Sequence, residues 1–334
     1  MSKSDLAASI SETIADYRAG AIPNPTPAHV IRWIDQFDSA ARVPLLREID
    51  HVLSKTYLSR RKIRAFLRGM LRTDKIVTGD PVRFWRGVDF LDLQTAGNSQ
   101  RDLLDMLNGI MAKEFGFTTS DCGGNAHHFL YLDDGLFSGG RIQADLVRWI
   151  AEEAPDRGDV YVVTCVTHTQ GRYFTEQAVK RAVREHGKSI DFRWLHITEY
   201  ENNPFDIRLS DVLRPVSIPD DPAIAAYAKQ LDSRAPGKHP LRPPGNTGRL
   251  SLFSSEESRH LVEQELLKAG VRIREACPNL PKQMRPLGAT VQYMLGFGTM
   301  VVTYRNSRTM RPWRSGPARP GTRCSPESST RSRR

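Results

Sequence analysis

Between residues 5 and 73 apolar side chains recur every three or four positions, in four successive stripes. The first holds Ile10, Ile14 and Tyr17, the second Val30, Trp33, Ile34 and Phe37. Leu45, Leu46, Ile49, Val52 and Leu53 make the third, and Ile63, Phe66, Leu67, Met70 and Leu71 the fourth. This spacing places one apolar face on a helix, so residues 1–75 are expected to form a helical module. Ile22-Pro23-Asn24-Pro25-Thr26-Pro27 separates the first two helices, with Thr26 as cap and Pro27 as first helical residue. Lys55, Arg60, Arg61, Lys62 and Arg64 make a local basic face, read first as a solvated helix surface and second as a nucleic-acid contact.

Beyond residue 75 short apolar runs take over from the helical period. Val88–Leu93, Phe129–Leu132, Asp159–Thr167 and Ile190–Ile197 read as strands. Between them, Leu103, Leu104, Leu107, Ile110 and Met111 mark a helix with Ser99 as cap and Asp102 in its first turn. Ile142, Leu146, Val147 and Ile150 mark a second, and residues 174–185 a third. Strands alternating with helices imply an α/β fold with a mostly parallel sheet and right-handed crossovers. Residues 198–250 are rich in proline, with a single helical stretch over Ala223–Leu231, and read either as a hood or lid or as a mobile insertion. Ser254 or Ser255 caps a helix through Glu256 and Glu257 that is expected to stop at Gly270, and Leu295–Val302 reads as a last strand. The resulting division is a helical module over 1–75, an α/β domain over 76–303 and a tail over 304–334.

The chemistry concentrates where the strand Phe129–Leu132 ends. Asp133 and Asp134 follow it, and Ser138-Gly139-Gly140-Arg141 then opens the next helix. Helix N-termini collect phosphate, and glycines let backbone amides approach an anion closely. Ser138 is placed either to cap that helix or to donate to the same phosphate. Adjacent carboxylates would repel phosphate, but they accept from sugar hydroxyls and hold Mg2+ through oxygen. The pattern describes a ribose 5-phosphate site; an ordinary glycine turn at a strand end is the other reading. Gly97, Asn98, Ser99 and Gln100 form a second strand–loop–helix anion site, or a plain capped helix. His168 and Thr169 close the next strand and are candidates to approach the ligand by position alone. Cys122, His127 and His128 lack the further ligands a closed zinc site needs.

Leu130-Tyr131-Leu132-Asp133-Asp134 with Ser138-Gly139-Gly140 resembles the phosphoribosyl-pyrophosphate (PRPP) signature of type I phosphoribosyltransferases. Gly135 stands where that family usually carries an aliphatic residue, and Arg141 replaces a common Thr. With Asp16-Tyr17-Arg18-Ala19-Gly20, Gly97-Asn98-Ser99-Gln100, Met284-Arg285-Pro286-Leu287-Gly288 and Leu295-Gly296-Phe297-Gly298-Thr299, the chain over about residues 10–305 is similar to the phosphoribosyltransferase-like PRTase-CE family of bacterial conflict systems. Some members of that family accompany anti-phage retrons. The resemblance implies a sheet of the type I phosphoribosyltransferase kind and a pocket for PRPP or a ribonucleotide 5′-phosphate with Mg2+. Asp133 and Asp134 would then engage ribose hydroxyls directly or through the metal. Ser138, Gly139, Gly140 and Arg141 would take the 5′-phosphate, and Gly97, Asn98, Ser99 and Gln100 pyrophosphate. Three functional expectations stay open: (phospho)ribosyl transfer or N-glycosidic cleavage, nucleotide sensing without turnover, and service as a nucleic-acid-binding component of a retron complex. A reverse transcriptase with its noncoding RNA/DNA is the implied partner.

Charge changes this picture little. The 334 residues carry a formal charge of +10, but nine arginines and one acid fall in residues 304–334, so the body is nearly neutral. That tail is expected either as a basic disordered arm or as the product of a single-nucleotide frameshift near codon 307. In the latter case, a shifted reading of Arg308–Gly316 yields an Asn-Asn-Ala-Pro-Leu-type ending that resembles how the family closes. Four scattered cysteines read as reduced thiols. No apolar run reaches about 18 residues and no N-terminal signal stands out, which leads to the expectation of a soluble cytoplasmic protein.

Overall fold

The four N-terminal stripes become four helices: α1 (Lys3–Thr13), α2 (Pro27–Ile34), α3 (Arg42–Thr56) and α4 (Arg60–Met70). Thr26 accepts from the His29 amide at 3.2 Å with Pro27 opening α2, the cap the sequence foresaw. Ser2 and Asp5 close a capping box on α1, and Ser59 caps α4. The computed structural model describes residues 1–95, 98–124, 127–203, 209–234, 241–277, 295 and 298–305. Gly97, Met284–Gly288, Gly296, Phe297, Cys324 and the stretch from 306 to 334 lie outside these residues, and so do the expectations resting on them.

A short α5 (Pro81–Arg86) leads into β1 (Val88–Leu91), followed by α6 (Ser99–Phe115), β2 (His128–Leu136), α7 (Gly140–Glu152), β3 (Arg157–His168), α8 (Thr169–Glu185) and β4 (Ser189–Tyr200). The strands form one sheet in the order β1-β2-β3-β4, and every neighbouring pair is parallel. The α/β class and the parallel sheet follow from the alternation of short apolar runs with helical stripes. Leu130, Leu132, Val160, Val162, Val163 and Val166 are all buried, the near-continuous apolar content of strands covered on both faces.

Contacts divide the chain into two units, one of Met1–Tyr57 with Ile207–Arg334 and the other of Leu58–Asp206. The boundary foreseen near residue 75 therefore shifts to residue 58. The Ile63, Leu67 and Met70 stripe needs a partner and finds it within the sheet unit, where α4 packs against α6. Trp85 donates its indole N–H to the Leu71 carbonyl at 2.9 Å in the same unit.

In the first unit the stripes of α1–α3 bury against α9 (Pro222–Arg234), α10 (Glu256–Ala276), Met300 and Val302. Helix α10 starts at the expected cap, Ser255, but runs through Gly270, because Val262, Leu266, Leu267 and Val271 continue its buried stripe. Met300, Val301 and Val302 are buried and belong to no named strand among the described residues, while Gly296 and Phe297 of the expected last strand lie outside them. Cys122 and Cys165 are free thiols.

Beside the core contacts of Leu213 and α9, the described part of the proline-rich stretch is held by buried ions. Arg242, fully buried, donates to Glu263 at 2.8 Å, to Glu256 at 2.9 Å and to the Asn246 carbonyl at 2.7 Å. Arg259 donates to Glu263 at 2.9 Å and to the carbonyls of Ser210 and Val212 at 2.9 and 2.8 Å. One carboxylate thus serves two buried guanidiniums. Removing one member of such a cluster leaves uncompensated charge in a low-dielectric interior. We expect Glu263→Ala to lower unfolding stability by about 3 kcal/mol or more in urea titrations; a loss under about 1 kcal/mol would show that the cluster does not order this stretch.

Candidate functional site

Pairing with β3 continues through Gly135↔Val166 and Leu136↔Thr167, so β2 does not end before the acids. Asp133 and Asp134 are residues of the strand and not of a tip beyond it. Neighbouring strand residues point to opposite faces, so the two carboxylates diverge instead of lying side by side. Asp133 shares its face with Tyr131, whose hydroxyl donates to Asp145 of α7 at 2.9 Å. Burial lifts the Asp145 carboxyl above its usual range, against the opposing effects of that hydrogen bond and of Arg148. Both Asp133 and Asp134 are more than nine-tenths buried.

The loop after β1 reaches the same place. Ser99 donates its hydroxyl to Asp133 Oδ1 at 2.7 Å, and the Asp134 amide donates to the same oxygen at 2.8 Å. The two stretches singled out in the sequence are therefore joined, and Asp133 keeps Oδ2 without a hydrogen bond among the described residues. Ser99 is not the N-cap of α6: that position falls to Asn98, which makes no side-chain cap bond. Gln94 supplies the cap from upstream, its Oε1 accepting from the Gln100 amide at 3.2 Å and lying 3.2 Å from Ser99 Oγ. Gln100 points inward and accepts from the amides of Leu93 and Gln94 at 2.8 and 3.0 Å, while Arg148 of α7 donates to the Leu93 carbonyl at 2.7 Å. The side chains of Ser99 and Gln100 thus brace the loop, and Asn98 is the exposed member of the described set.

The glycine loop between β2 and α7 is arranged differently. Ser138, Gly140 and Arg141 are exposed, and Gly139 is buried. Gly139 occupies the cap position of α7 at φ +76°, so Ser138 does not cap the helix. The first bond of α7 runs from the Gln143 amide to the Gly139 carbonyl at 2.8 Å. Among the described residues nothing accepts from the amides of Gly140, Arg141 or Ile142. An uncapped helix start of this kind presents backbone donors and the positive end of the macrodipole to an anion. It differs from the start of α6, which Gln94 already fills.

Gly139 is required for a reason the sequence did not reveal. A Cβ there would lie 2.7 Å from the Gly171 carbonyl oxygen and closer still to Thr175 Oγ1, both on α8. A Cβ on Gly171 would in turn collide with the Phe137 carbonyl and lie 2.9 Å from Leu136 Cδ2. Backbone meets backbone, and the loop is pressed onto the first turns of α8. Gly135, the departure from the aliphatic residue usual in the resembling family, makes room for the Phe137 ring, whose Cζ would stand 3.0 Å from an added Cβ. Around Gly140 the nearest such atom is 3.8 Å away, so that position is open.

The start of α8 is itself fixed by the end of β4 and the residues that follow it. Asn202 Oδ1 accepts from the Gln170 amide at 3.0 Å, Thr169 donates to Glu201 at 2.7 Å, and Arg172 pairs with Glu199. His168 does not line an open cleft as its position suggested. It is buried, edge-on to Phe137 at 5.0 Å between ring centroids and near Tyr200 at 6.4 Å. Burial pushes its imidazole pKa down to about 3. Asn202, Gly171, Thr175 and Arg148 were invisible as site residues in the sequence, since a helix-start glycine or an isolated Asn after a strand carries no spacing signal. His128 stacks at a tilt on Phe84 and faces Asp159 at 3.4 Å. Among the described residues no group of three or more His, Cys, Asp or Glu is placed to hold a metal ion.

With this geometry in view, comparison with known families is decisive on one point. The family model PRTase-CE matches residues 30–309. The chain belongs to the PRTase-CE family. The PRTase-CE match covers both the acid–glycine stretch and the Gly97–Gln100 loop, and leaves Asp16–Gly20 on its N-terminal side. No curated protein and no solved structure matches the chain.

Two outcomes are expected at this PRTase-CE site. Gly139→Ala forces a left-handed conformation and a backbone collision, and should reduce unfolding stability by about 2 kcal/mol or more, whereas Gly140→Ala should change it little; equal effects in thermal melts would refute the packing of the loop on α8. His168 has its folded pKa depressed below the unfolded value near 6.5. Its contribution to stability is therefore present above pH 6.5 and declines as pH falls toward 3. Between pH 6.5 and 5 the wild type should lose about 2 kcal/mol through this group, and His168→Gln should flatten that slope in urea titrations.

Proposed function

We propose that this PRTase-CE protein binds PRPP or a ribonucleotide 5′-phosphate and transfers or cleaves its (phospho)ribosyl group. The observation that carries the reading is the 2.7 Å bond from Ser99 to Asp133, which draws the start of α6 to the acidic strand that leads into the open start of α7. Amides of Gly140, Arg141 and Ile142, with the Ser138 hydroxyl and the Arg141 guanidinium, would hold the 5′-phosphate. Asp133 Oδ2 and Asp134 would meet ribose hydroxyls or a metal-bound water.

Mg2+ is bound through one or two carboxylates completed by substrate oxygens, and a buried carboxylate with one oxygen left over fits that role. Asp133 would hold it through Oδ2, since Asp134 on the opposite face of the strand cannot share the same ion, and the ion would offset charge on the leaving pyrophosphate. In the transfer reaction the bond from the anomeric carbon to pyrophosphate breaks with its electron pair leaving on oxygen. A bond to the acceptor nitrogen or to water forms, and the acceptor's proton passes to solvent. Preorganised donors aimed at the departing charge would be the main catalytic contribution. Pyrophosphate at Gly97, Asn98, Ser99 and Gln100 requires Gln94 to give up its capping bonds, so substrate would have to displace that side chain.

A second reading has its own support. Both carboxylates are more than nine-tenths buried and one is tied to Ser99, an arrangement suited to sensing a nucleotide without turnover. The biological setting we propose, anti-phage defence beside a reverse transcriptase and its noncoding RNA/DNA, is supported by family membership alone. Among the described residues no helix is long and apolar enough to cross a membrane.

Calorimetry with PRPP and nucleoside 5′-monophosphates, with and without Mg2+, tests the pocket. Asp133→Asn with Asp134→Asn should weaken binding at least tenfold while the thermal melt stays cooperative. Wild-type affinity in that variant would remove the acids from the site. Chromatography of the titrated samples separates the two readings, since pyrophosphate or free base appears under turnover alone.

A further inference from the structure

The outer face of α8 carries a feature that the nucleotide pocket does not use. Tyr173 and Phe174 are 57% and 54% exposed, with ring centroids 5.5 Å apart in an edge-to-face pair. They are the aromatic side chains standing more than half exposed among the described residues. From Tyr173 the same side of the helix continues at helical spacing through Gln177, Lys180, Arg181 and Arg184, all exposed. None of the three cations makes an ion pair within 4 Å among the described residues. The nearby acid Glu176 is already engaged by Arg172, and Glu185 is the exposed acid at the end of the helix. From Tyr173 to Arg184 the stripe is about 16 Å long at 1.5 Å per residue, longer than a mononucleotide needs.

We infer that this face binds single-stranded nucleic acid. Bases stack on exposed aromatic rings, largely irrespective of sequence, while lysine and arginine follow the phosphates. Cations near a helix C-terminus have a reason of their own in the macrodipole, but that does not account for two adjacent rings held in water. A protein interface of this size would centre on apolar side chains with charge kept to its rim. Here no exposed aliphatic residue adjoins the rings on α8, and the three cations fill the C-terminal half of the stripe instead of ringing the aromatic pair. Duplex nucleic acid offers phosphates but no free base faces, so the rings select for a single strand. The surface starts within one turn of Gly171 and hence beside the glycine loop, yet it stands whether or not that loop holds a nucleotide.

Fluorescence anisotropy with a 20-nucleotide single strand of mixed sequence, carrying 5′-fluorescein and no terminal phosphate, tests the inference on the full chain at 50 and 200 mM NaCl. The label replaces the terminal phosphate, so failure of the nucleotide pocket leaves the result readable. The single strand should bind more tightly than its duplex. Tyr173→Ala with Phe174→Ala should weaken it tenfold or more. Lys180→Gln, Arg181→Gln and Arg184→Gln together should weaken it and reduce the slope of log K against log salt by about 2. All five side chains are exposed, and thermal melts verify that the variants remain folded. Absence of binding by the wild type, duplex affinity equal to that of the single strand, or wild-type affinity in both variants would overturn the inference; the last result would assign binding to the arginines beyond residue 304.

Discussion

The backbone contact between Gly139 and Gly171 is the constraint on which the rest of the site depends. A loop that is to offer free amides cannot spend them on internal hydrogen bonds, so something else must hold it. Here it is held by close approach: Gly139 and Gly171 lack side chains exactly where the loop and the first turns of α8 touch. The same contact ties the loop to the far edge of the sheet, because Glu199 at the end of β4 and Glu201 and Asn202 just beyond it fix the start of α8. On the other side, Ser99 and Arg148 tie the loop after β1 to Asp133 and to α7. A chain of short-range contacts therefore runs across all four strand ends.

Much of this was legible in the sequence, and what was missed has identifiable causes. Helical stripes and short apolar runs revealed the elements and the parallel sheet, since burial imposes its period directly on residue type. The join between the two loops was not stated by the sequence; it rests on the pairing of β1 with β2 and on the bond from Ser99 to Asp133. The orientation of the acids was not legible either, because it turns on whether β3 keeps pairing past Leu132, and strand ends carry weak signals. Gly139 was assigned to anion approach when its Cβ space is taken by Thr175 and Gly171, a tertiary fact with no trace in local spacing. Gln94 and Gln100 offered no pattern at all; an amide that caps a helix from upstream looks like any polar loop residue. The unit boundary was placed late, since α4 carries the same stripe as α1–α3 and its partner is α6.

The first unit shows a different route to order. In residues 209–215 and 241–250, Arg242 and Arg259 gather five backbone carbonyls around Glu263 and Glu256. Buried guanidiniums are expensive to desolvate, and here each is satisfied by carboxylate and carbonyl oxygen together. Such a cluster tolerates few substitutions, because geometry and charge have to be met at once. Where a hydrocarbon core accepts many similar volumes, this one accepts one arrangement.

The first unit is also discontinuous in sequence, Met1–Tyr57 completed by residues after 206. During synthesis α1–α3 emerge long before α9 and α10, whose apolar faces they need. At elongation rates of roughly 5–20 residues per second, the delay over the intervening sheet unit is on the order of ten to thirty seconds. The sheet unit is continuous and can close while the ribosome is still translating. The early helices meanwhile wait with Trp33, Leu45 and Ile49 unsheltered, so nascent-chain handling by chaperones is the stage at which this topology is most vulnerable.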